Sequence, residues 1–395
     1  MGHDLIYLDH CATTPVNKEV VAAMLPYFDT YYGNTSSIYH QAGRKAAKSV
    51  EQARQQIADL VHASPKELIF TSGATEALNQ AIIGIYNHYQ SIGNHIITCQ
   101  TEHPAVLDTC RYLSKQGAKV TYLPVNANGM IDLQELEQSI TDQTVLICLM
   151  FANNETGLIH PIAEIGAIAH DHQILFCCDA TQAAGKVPID VESQHIDLLA
   201  LSAHKFYGPK GVGALYMKRK RNPIQVGSFL HGGKQENHQR AGTLNVPGIV
   251  GMGAAALLAK ANMDQESKRL AKLRDKLESY LLKLPETFRN GDMQERLSHV
   301  TNICFRYVKN VELMAAVPQL ALSSGSACAT GSREPSHVLT AMGLTEMDAH
   351  CSIRFSLGAQ TTEQEINQTC KLIDQAVTKI RQQSPIWQMH LNGVI

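Results

Sequence analysis

Three stretches of the chain place polar, reactive side chains directly after apolar runs. In DLLALSAHKFYGPKGVG (197–213), Ser202, His204 and Lys205 follow a run that reads as a buried strand. A lysine at a strand end is ordinarily a solvated surface residue. One that emerges from a buried run is partly desolvated, loses proton affinity and can act as an amine nucleophile toward an aldehyde. ILFCCDATQ (174–182) closes a hydrophobic strand on Asp179, a carboxylate whose burial is costly without a cationic partner. TSGATE (71–76) passes from a strand through glycine into a helix with Thr75 in its first turn. Spare backbone N–H groups and the positive helix end favour a phosphate there, although taken alone the commoner reading of these letters is a plain helix cap.

A thiol completes the reactive set. Cys328 lies in SSGSACATGS (323–332), a run of small polar residues where a packing cysteine is out of place. The other nine cysteines read as packing or local structure; Cys148 in VLICLMF and Cys177 and Cys178 in ILFCCDA sit in apolar runs. No CxxC pair occurs and no zinc-like spacing links cysteines to the 18 histidines, so no metal site is expected and the thiols suit a reducing compartment, the cytoplasm. The net charge of −2 gives no basic excess to favour nucleic acid or an anionic membrane, and no apolar run approaches a membrane span. Charged residues at 18% and apolar ones at 44% describe a folded, small-molecule enzyme rather than a disordered chain.

These residues need a scaffold that brings strand ends together. From about 65 to 220, apolar runs alternate with helical patterns, which predicts an α/β fold with a mainly parallel sheet. Strands are expected at 67–72, 95–100, 119–125, 144–152, 173–180, 197–203 and 211–217, and helices at 74–90 and 132–140. Open sheets of this kind bind ligands at the carboxyl ends of their strands. The polar, glycine-rich 227–247 segment is expected to be a functional loop, followed by a long helix near 248–283. Strands in SHVTNICFRYV and HCSIRFSL and helices at 335–342 and 362–382 predict a second unit. The expected division is a large domain over 1–260, with 1–20 packing on the small domain, and a small domain over 261–395 that carries Cys328.

An aldehyde for the amine, a phosphate for the helix start and a protonated pyridine nitrogen for the carboxylate together describe pyridoxal phosphate (PLP). SAHKFYGPKG (202–211) then resembles the cofactor-lysine motif of the IscS/NifS-type cysteine desulfurases, in the class V aminotransferase-like group, and most closely the IscS branch. IYLDHCATTP (6–15), GNTSSIYHQAGR (33–44), TSGATEALN (71–79), TEHPAVLD (101–108), NNETG (153–157), DATQAAGK (179–186), RAGTLNV (240–246), SSGSACATGSREPSHVLTAMG (323–343), SIRFSLG (352–358) and SPIWQMHLNGV (384–394) extend the likeness over almost the whole chain.

The resemblance implies the PLP-dependent transferase fold type I: a mainly parallel seven-stranded sheet in the large domain plus a smaller α+β C-terminal domain, assembled as a homodimer. It implies that Lys205 holds the cofactor aldehyde as a Schiff base, that Asp179 pairs with the pyridine nitrogen and that Gln182 contacts the ring hydroxyl. His103 stacks on the ring and assists proton transfer. Ala74, Thr75, Ser202 and His204 hold the phosphate, with Thr243 reaching over from a second subunit. Asn154 lies near the cofactor and the substrate carboxylate, which Arg354 and Asn34 help to hold. L-Cysteine is the substrate; Cys328 takes its sulfur as a persulfide, L-alanine leaves, and the sulfur passes to an acceptor protein. Iron–sulfur cluster assembly, tRNA thiolation and DNA phosphorothioation are the pathways open, as is transient ligation of a cluster by Cys328.

Some positions depart from the pattern. Cys11 in DHCATTP is a second thiol near the expected cofactor entrance, read as packing, and Thr35 stands where a proline is common. The tail ends at GVI, shorter than the IscS pattern, which is expected to weaken docking of an iron–sulfur scaffold protein. A selenocysteine lyase or another class V enzyme is the nearest alternative, though transamination needs no thiol. A silent sulfur-trafficking scaffold is the alternative of another class, against which the Lys205, Asp179 and His103 set counts. A nicotinamide enzyme is a poor fit, because no G-x-G-x-x-G follows the early strands.

Overall fold

The all-apolar runs of the middle of the chain lie side by side in one sheet, buried on both faces. The structure, a computed structural model, describes residues 5–219, 224–324 and 334–394. Its strands are β1 (Ile6–Tyr7), β2 (Leu68–Thr71), β3 (His95–Cys99), β4 (Lys119–Leu123), β5 (Thr144–Met150), β6 (Leu175–Asp179), β7 (Leu198–Ser202), β8 (Gly213–Met217), β9 (Thr287–Asn290), β10 (Val300–Phe305), β11 (Leu320–Ala321) and β12 (Ser352–Ser356). Seven of them form a sheet in the order β2-β8-β7-β6-β5-β3-β4. Pairing is parallel except for β8, which runs antiparallel to both β2 and β7. All seven expected strands are present, and the sheet is mixed but mostly parallel.

Helices cover both faces, which is why the central strands carry no polar alternation. The helix Ala74–Tyr89 buries Ala77, Ala81, Ile82 and Ile85 on one face, as the helical spacing predicts. The other face receives Gln41–Leu60 and the start of Val246–Leu281. Gly253 sits where those two helices meet; a Cβ there would lie 2.6 Å from Ala53 Cα, so only glycine lets the backbones touch.

The 36-residue helix Val246–Leu281 is long and apolar enough, by length and composition, to cross a bilayer, yet its apolar residues are used in packing. Val246, Ile249, Met252, Ala255 and Ala256 belong to the core under the large sheet, while Leu270, Leu273, Leu277 and Leu281 belong to a second core with Ile303, Phe305, Ile353 and Phe355. It runs unbroken through position 260, where two domains were expected to meet. The second core is built on the antiparallel sheet β12-β10-β9 and the helix Glu363–Gln383. The chain start joins it: β1 pairs with β11, and Ile6 and Leu8 lie among its buried residues.

Candidate active site

The carboxyl ends of β2, β3, β5, β6 and β7 open onto one cavity of about 820 Å³, whose wall also includes Cys11 to Thr13, His337 and Arg354. A volume of this order suits a cofactor together with a small substrate. Ala74, Thr75, His103, Asn154, Asp179, Gln182, Ser202, His204, Lys205 and Arg354 all line it, so ten of the expected residues are brought together from widely separated segments.

Lys205 follows β7 in a short 3-10 turn, and its Nζ donates to the carbonyls of Cys11 (2.6 Å) and Ala12 (2.9 Å). Both carbonyls belong to the segment that forms the cavity wall, so the amine is held at the cavity. Asp179 ends β6; its Oδ1 accepts from the Thr181 N–H at 2.9 Å and from the Thr181 hydroxyl. The same Cys11 carbonyl accepts from Gln182 Nε2 at 2.9 Å, and Lys186 Nζ donates to Gln182 Oε1 at 3.2 Å.

His103 caps the helix Pro104–Ser114, and its Nδ1 accepts from the Ala105 N–H at 3.1 Å. That bond leaves Nε2 as the nitrogen that carries or exchanges a proton. Burial holds the imidazole below its ordinary pKa, with Asp179 pulling the other way and Lys205 and His337 adding to the depression. Below it, Glu102 is wholly buried, its Oε1 accepting from the Met150 N–H at 2.6 Å, and desolvation raises its carboxyl well above the usual range.

The helix Ala74–Tyr89 starts on Gly73, and no side chain caps it. The cap that TSGATE could have supplied is therefore missing, and the first-turn N–H groups face the cavity without an intrahelical acceptor. Glu76 instead accepts from the Ser72 N–H at 2.8 Å and pairs with Arg240 at 2.8 Å. Gly213 lets β8 approach this corner: a Cβ would fall 2.4 Å from Leu201 O and 2.6 Å from Gly73 Cα. His204 Nδ1 lies 3.1 Å from Thr13 Oγ1, and burial together with Lys205 lowers its pKa to about 4. It is a neutral ring at physiological pH.

Arg354 enters from the middle of β12 and is 1% exposed, where its strand pattern alone would have passed for a surface charge. Nη1 donates to Asn154 O at 2.8 Å and Nη2 to Asp9 Oδ1 at 2.7 Å. Thr181, Asp9, Lys186 and His337 were not singled out from the sequence. Only Thr181 carried a local signal, an Asp-x-Thr spacing that favours side-chain-to-backbone bonding.

Two expected residues stay outside this cavity. Asn34 is exposed and its Oδ1 accepts from the Ser36 N–H at 2.9 Å, within its own loop. Thr243 is exposed on the 227–247 loop. That loop is tied down by a buried pair, Arg54 Nη2 to Glu236 Oε1 at 2.7 Å, and by Arg240 to Glu76. Glu236, Asn237 and His238 have φ of 47°, 54° and 67°, a left-handed run that costs energy in non-glycine residues and persists because the two ion pairs hold it. Cys328 lies outside the described residues.

The donor set fits pyridoxal phosphate. A part-buried amine, a buried carboxylate, an imidazole and an uncapped helix start beside Ser202 match its aldehyde, ring nitrogen, ring face and phosphate. Comparison with known proteins agrees. The model of the family "Aminotransferase class-V" matches residues 6–369. A protein of Shewanella sp. (strain ANA-3) named "Cysteine desulfurase IscS" is 48% identical over 391 residues, 98% of this chain and 96% of that one. A solved structure titled "NIFS-LIKE PROTEIN" superposes with a TM-score of 0.89 at 35% identity, covering 95% of this chain and 99% of that one. Another, "SspA in complex with cysteine", does so with 0.79 at 38%, covering 89% and 98%. With this set of polar side chains meeting in one cavity, the chain belongs to the class V aminotransferase family of pyridoxal phosphate enzymes, in the branch of the IscS-type cysteine desulfurases.

Proposed function

We propose that the chain takes sulfur from L-cysteine onto Cys328 and releases L-alanine, with Lys205 as the cofactor-bearing amine. The observation that carries this reading is the meeting of the Lys205 amine, the Asp179 carboxylate, the His103 ring and the uncapped helix start in one cavity. When bound, pyridoxal phosphate supplies an electron sink that loosens the α-proton of an amino acid attached to it.

The chain's own groups do the rest. Asp179, fixed by Thr181, presents a negative charge that keeps a ring nitrogen protonated. Ala74, Thr75, Ser202 and His204 offer uncharged donors to a phosphate. Arg354, already oriented by Asp9 and the Asn154 carbonyl, offers its guanidinium to the substrate carboxylate, with Asn154 beside it. His103, neutral near pH 7, accepts or returns a proton at Nε2. The sulfur balance needs no outside oxidant: the substrate Cβ–S bond breaks, an S–S bond forms at Cys328, and the Cys328 thiol proton is matched by one gained at the substrate Cβ. The Cys328 persulfide then hands its outer sulfur to an acceptor protein.

Asn34 and Thr243, exposed outside their own cavity, suit a homodimer in which each subunit completes the other's site. Leu25, Phe28, Tyr32, Ile38 and Tyr39 are exposed around Asn34 and supply an apolar face for it. All nine described cysteines are unpaired and buried, which supports a reducing compartment, the cytoplasm. The acceptor is a protein of iron–sulfur cluster assembly, tRNA thiolation or DNA phosphorothioation.

The test is incubation of cofactor-loaded protein with L-cysteine. Stoichiometric alanine and a mass increase of one sulfur on the peptide that contains Cys328 are expected. A Cys328→Ser variant that still releases sulfide at the normal rate rejects the role of that thiol. Light scattering at low concentration checks the dimer.

A further inference from the structure

One charged group beside the cavity has no part in the chemistry above. Lys186 follows Gln182 by one helical turn, is part-buried, and lines a second cleft of about 210 Å³ between Phe206, Leu258 and His299. Its only hydrogen-bond partner among the described residues is Gln182 Oε1, at 3.2 Å, and no carboxylate lies within ion-pair distance of it. Most buried ammonium groups are paired with an anion; this one is spent on a neutral amide.

The amide is the informative part. A glutamine side chain has two ends of nearly equal shape, and which end faces the cavity decides whether the cavity sees a donor or an acceptor. Lys186 can only donate, so it selects Oε1 for itself. Nε2 is then turned to the Cys11 carbonyl at 2.9 Å, the same carbonyl that receives Lys205 Nζ at 2.6 Å. One N–H of that amide is used on Cys11, and the second remains to meet an acceptor in the cavity. We propose that Lys186 is a positioning residue, which holds the Gln182 amide with its N–H groups toward the cofactor and thereby sets the acid–base behaviour of the cofactor bound at Lys205.

This inference rests on the reading of the cavity as a pyridoxal phosphate site. The groups facing Lys186 from other elements are Cys11, Lys205 and Arg354, and around the second cleft His10, His299 and Glu266. Desolvation, assisted by Lys205 and Arg354 and opposed by Cys11, lowers its pKa to about 8, so the ammonium form still predominates at neutral pH. The neutral amine that replaces it at higher pH is a weaker donor that can also accept, so its hold on Gln182 Oε1 slackens.

The experiment is a pH titration of the visible absorbance of the cofactor-loaded protein, without substrate. Lys186→Met keeps the aliphatic stem in the cleft. It removes a nearby cation and weakens the donor aimed at the cofactor, both of which favour the protonated form. The expected result is an upward shift of the transition by about half a unit to one unit, restored by Lys186→Arg. The same substitution is repeated in a Gln182→Leu background. If Lys186 acts through the amide, its effect there falls below half of its size in the parent. A shift retained at more than half overturns the proposal and leaves only a through-space charge. An unshifted Lys186→Met protein overturns it as well. If the unmodified chain takes up no cofactor, it is the reading of the cavity that fails, which is a separate outcome.

Discussion

The seven-stranded sheet and the three-stranded sheet put their chemistry in different places. In the large sheet Asp179 and Ser202 are the last residues of β6 and β7, and Lys205 comes three residues after β7. In the small sheet Arg354 lies in the middle of β12, paired across to Asn302 of β10. A strand end is a natural site for a polar group, because the ladder has stopped and the side chain can face a crevice. A mid-strand arginine at 1% exposure has no such freedom, and its charge has to be met from elsewhere in the chain by Asp9 and the Asn154 carbonyl. On the proposed reading, the large sheet thus carries its reactive groups at little structural cost, whereas the small one binds function and stability together in a single side chain.

Substitutions should separate the two cases. Lys205→Ala is expected to leave the fold and melting temperature nearly intact while turnover of L-cysteine falls by at least about 10³-fold, or about 4 kcal/mol of transition-state stabilisation. Circular dichroism alongside an alanine assay checks this; a large loss of stability would break the contrast. Arg354→Leu should do both kinds of damage. We expect a loss of kcat/KM of roughly 10- to 100-fold and about 3 kcal/mol of stability, because Asp9 is left without its partner, as read by urea unfolding.

The corner where β8 meets the helix start offers a sharper version of the same comparison. Gly213→Ala pushes a methyl group toward Leu201 O and Gly73 Cα, so stability should fall by about 1–3 kcal/mol, and cofactor affinity with it. A dye-monitored melt with and without pyridoxal phosphate reads both.

Acid should act on the strand-end histidine. His204 has a folded pKa of about 4 against an ordinary 6.5, so the unfolded chain binds the extra proton between those values. Its contribution to stability is complete above about pH 6.5 and is lost as pH falls toward 4. His204→Gln should therefore show a shallower pH slope of stability in that window, by up to one proton; identical slopes would remove the group from the account. The smallest effect is expected from Cys11→Ser, under about twofold in turnover, since Lys205 and Gln182 use the carbonyl of residue 11 and not its thiol. A larger loss in a steady-state assay would give the second thiol a role.

The same contrast explains what could be read from the sequence. Strands that are buried on both faces announce themselves as apolar runs, so β2, β3 and β5 to β8 are legible, and with them the polar residues just past their ends, while the part-exposed edge strand β4 shows in its β-branched and aromatic alternation. Arg354 was recognisable only by resemblance. Nothing local to SIRFS shows that its partner is Asp9, 345 residues away in sequence. Lys186 carries no local signal, because its neighbours Cys11 and Arg354 come from the two far ends of the chain. The polar, aperiodic 227–247 segment reads as a loop from its composition, but the Arg54–Glu236 and Arg240–Glu76 anchors depend on tertiary contact. Short strands such as β1 and β11, two residues each, have no pattern to detect.

The Val246–Leu281 helix is seated in both hydrophobic cores without a break. A rod clamped at either end gives the two bodies no swivel, so bringing Arg354 closer to Lys205 would mean bending the rod or tearing it from one of its sockets. On the proposed reading of the site, the span between guanidinium and amine is then set by the fold before any amino acid arrives, and it matches the amine-to-carboxylate spacing that all α-amino acids share, so the side chain has to be told apart elsewhere in the cavity.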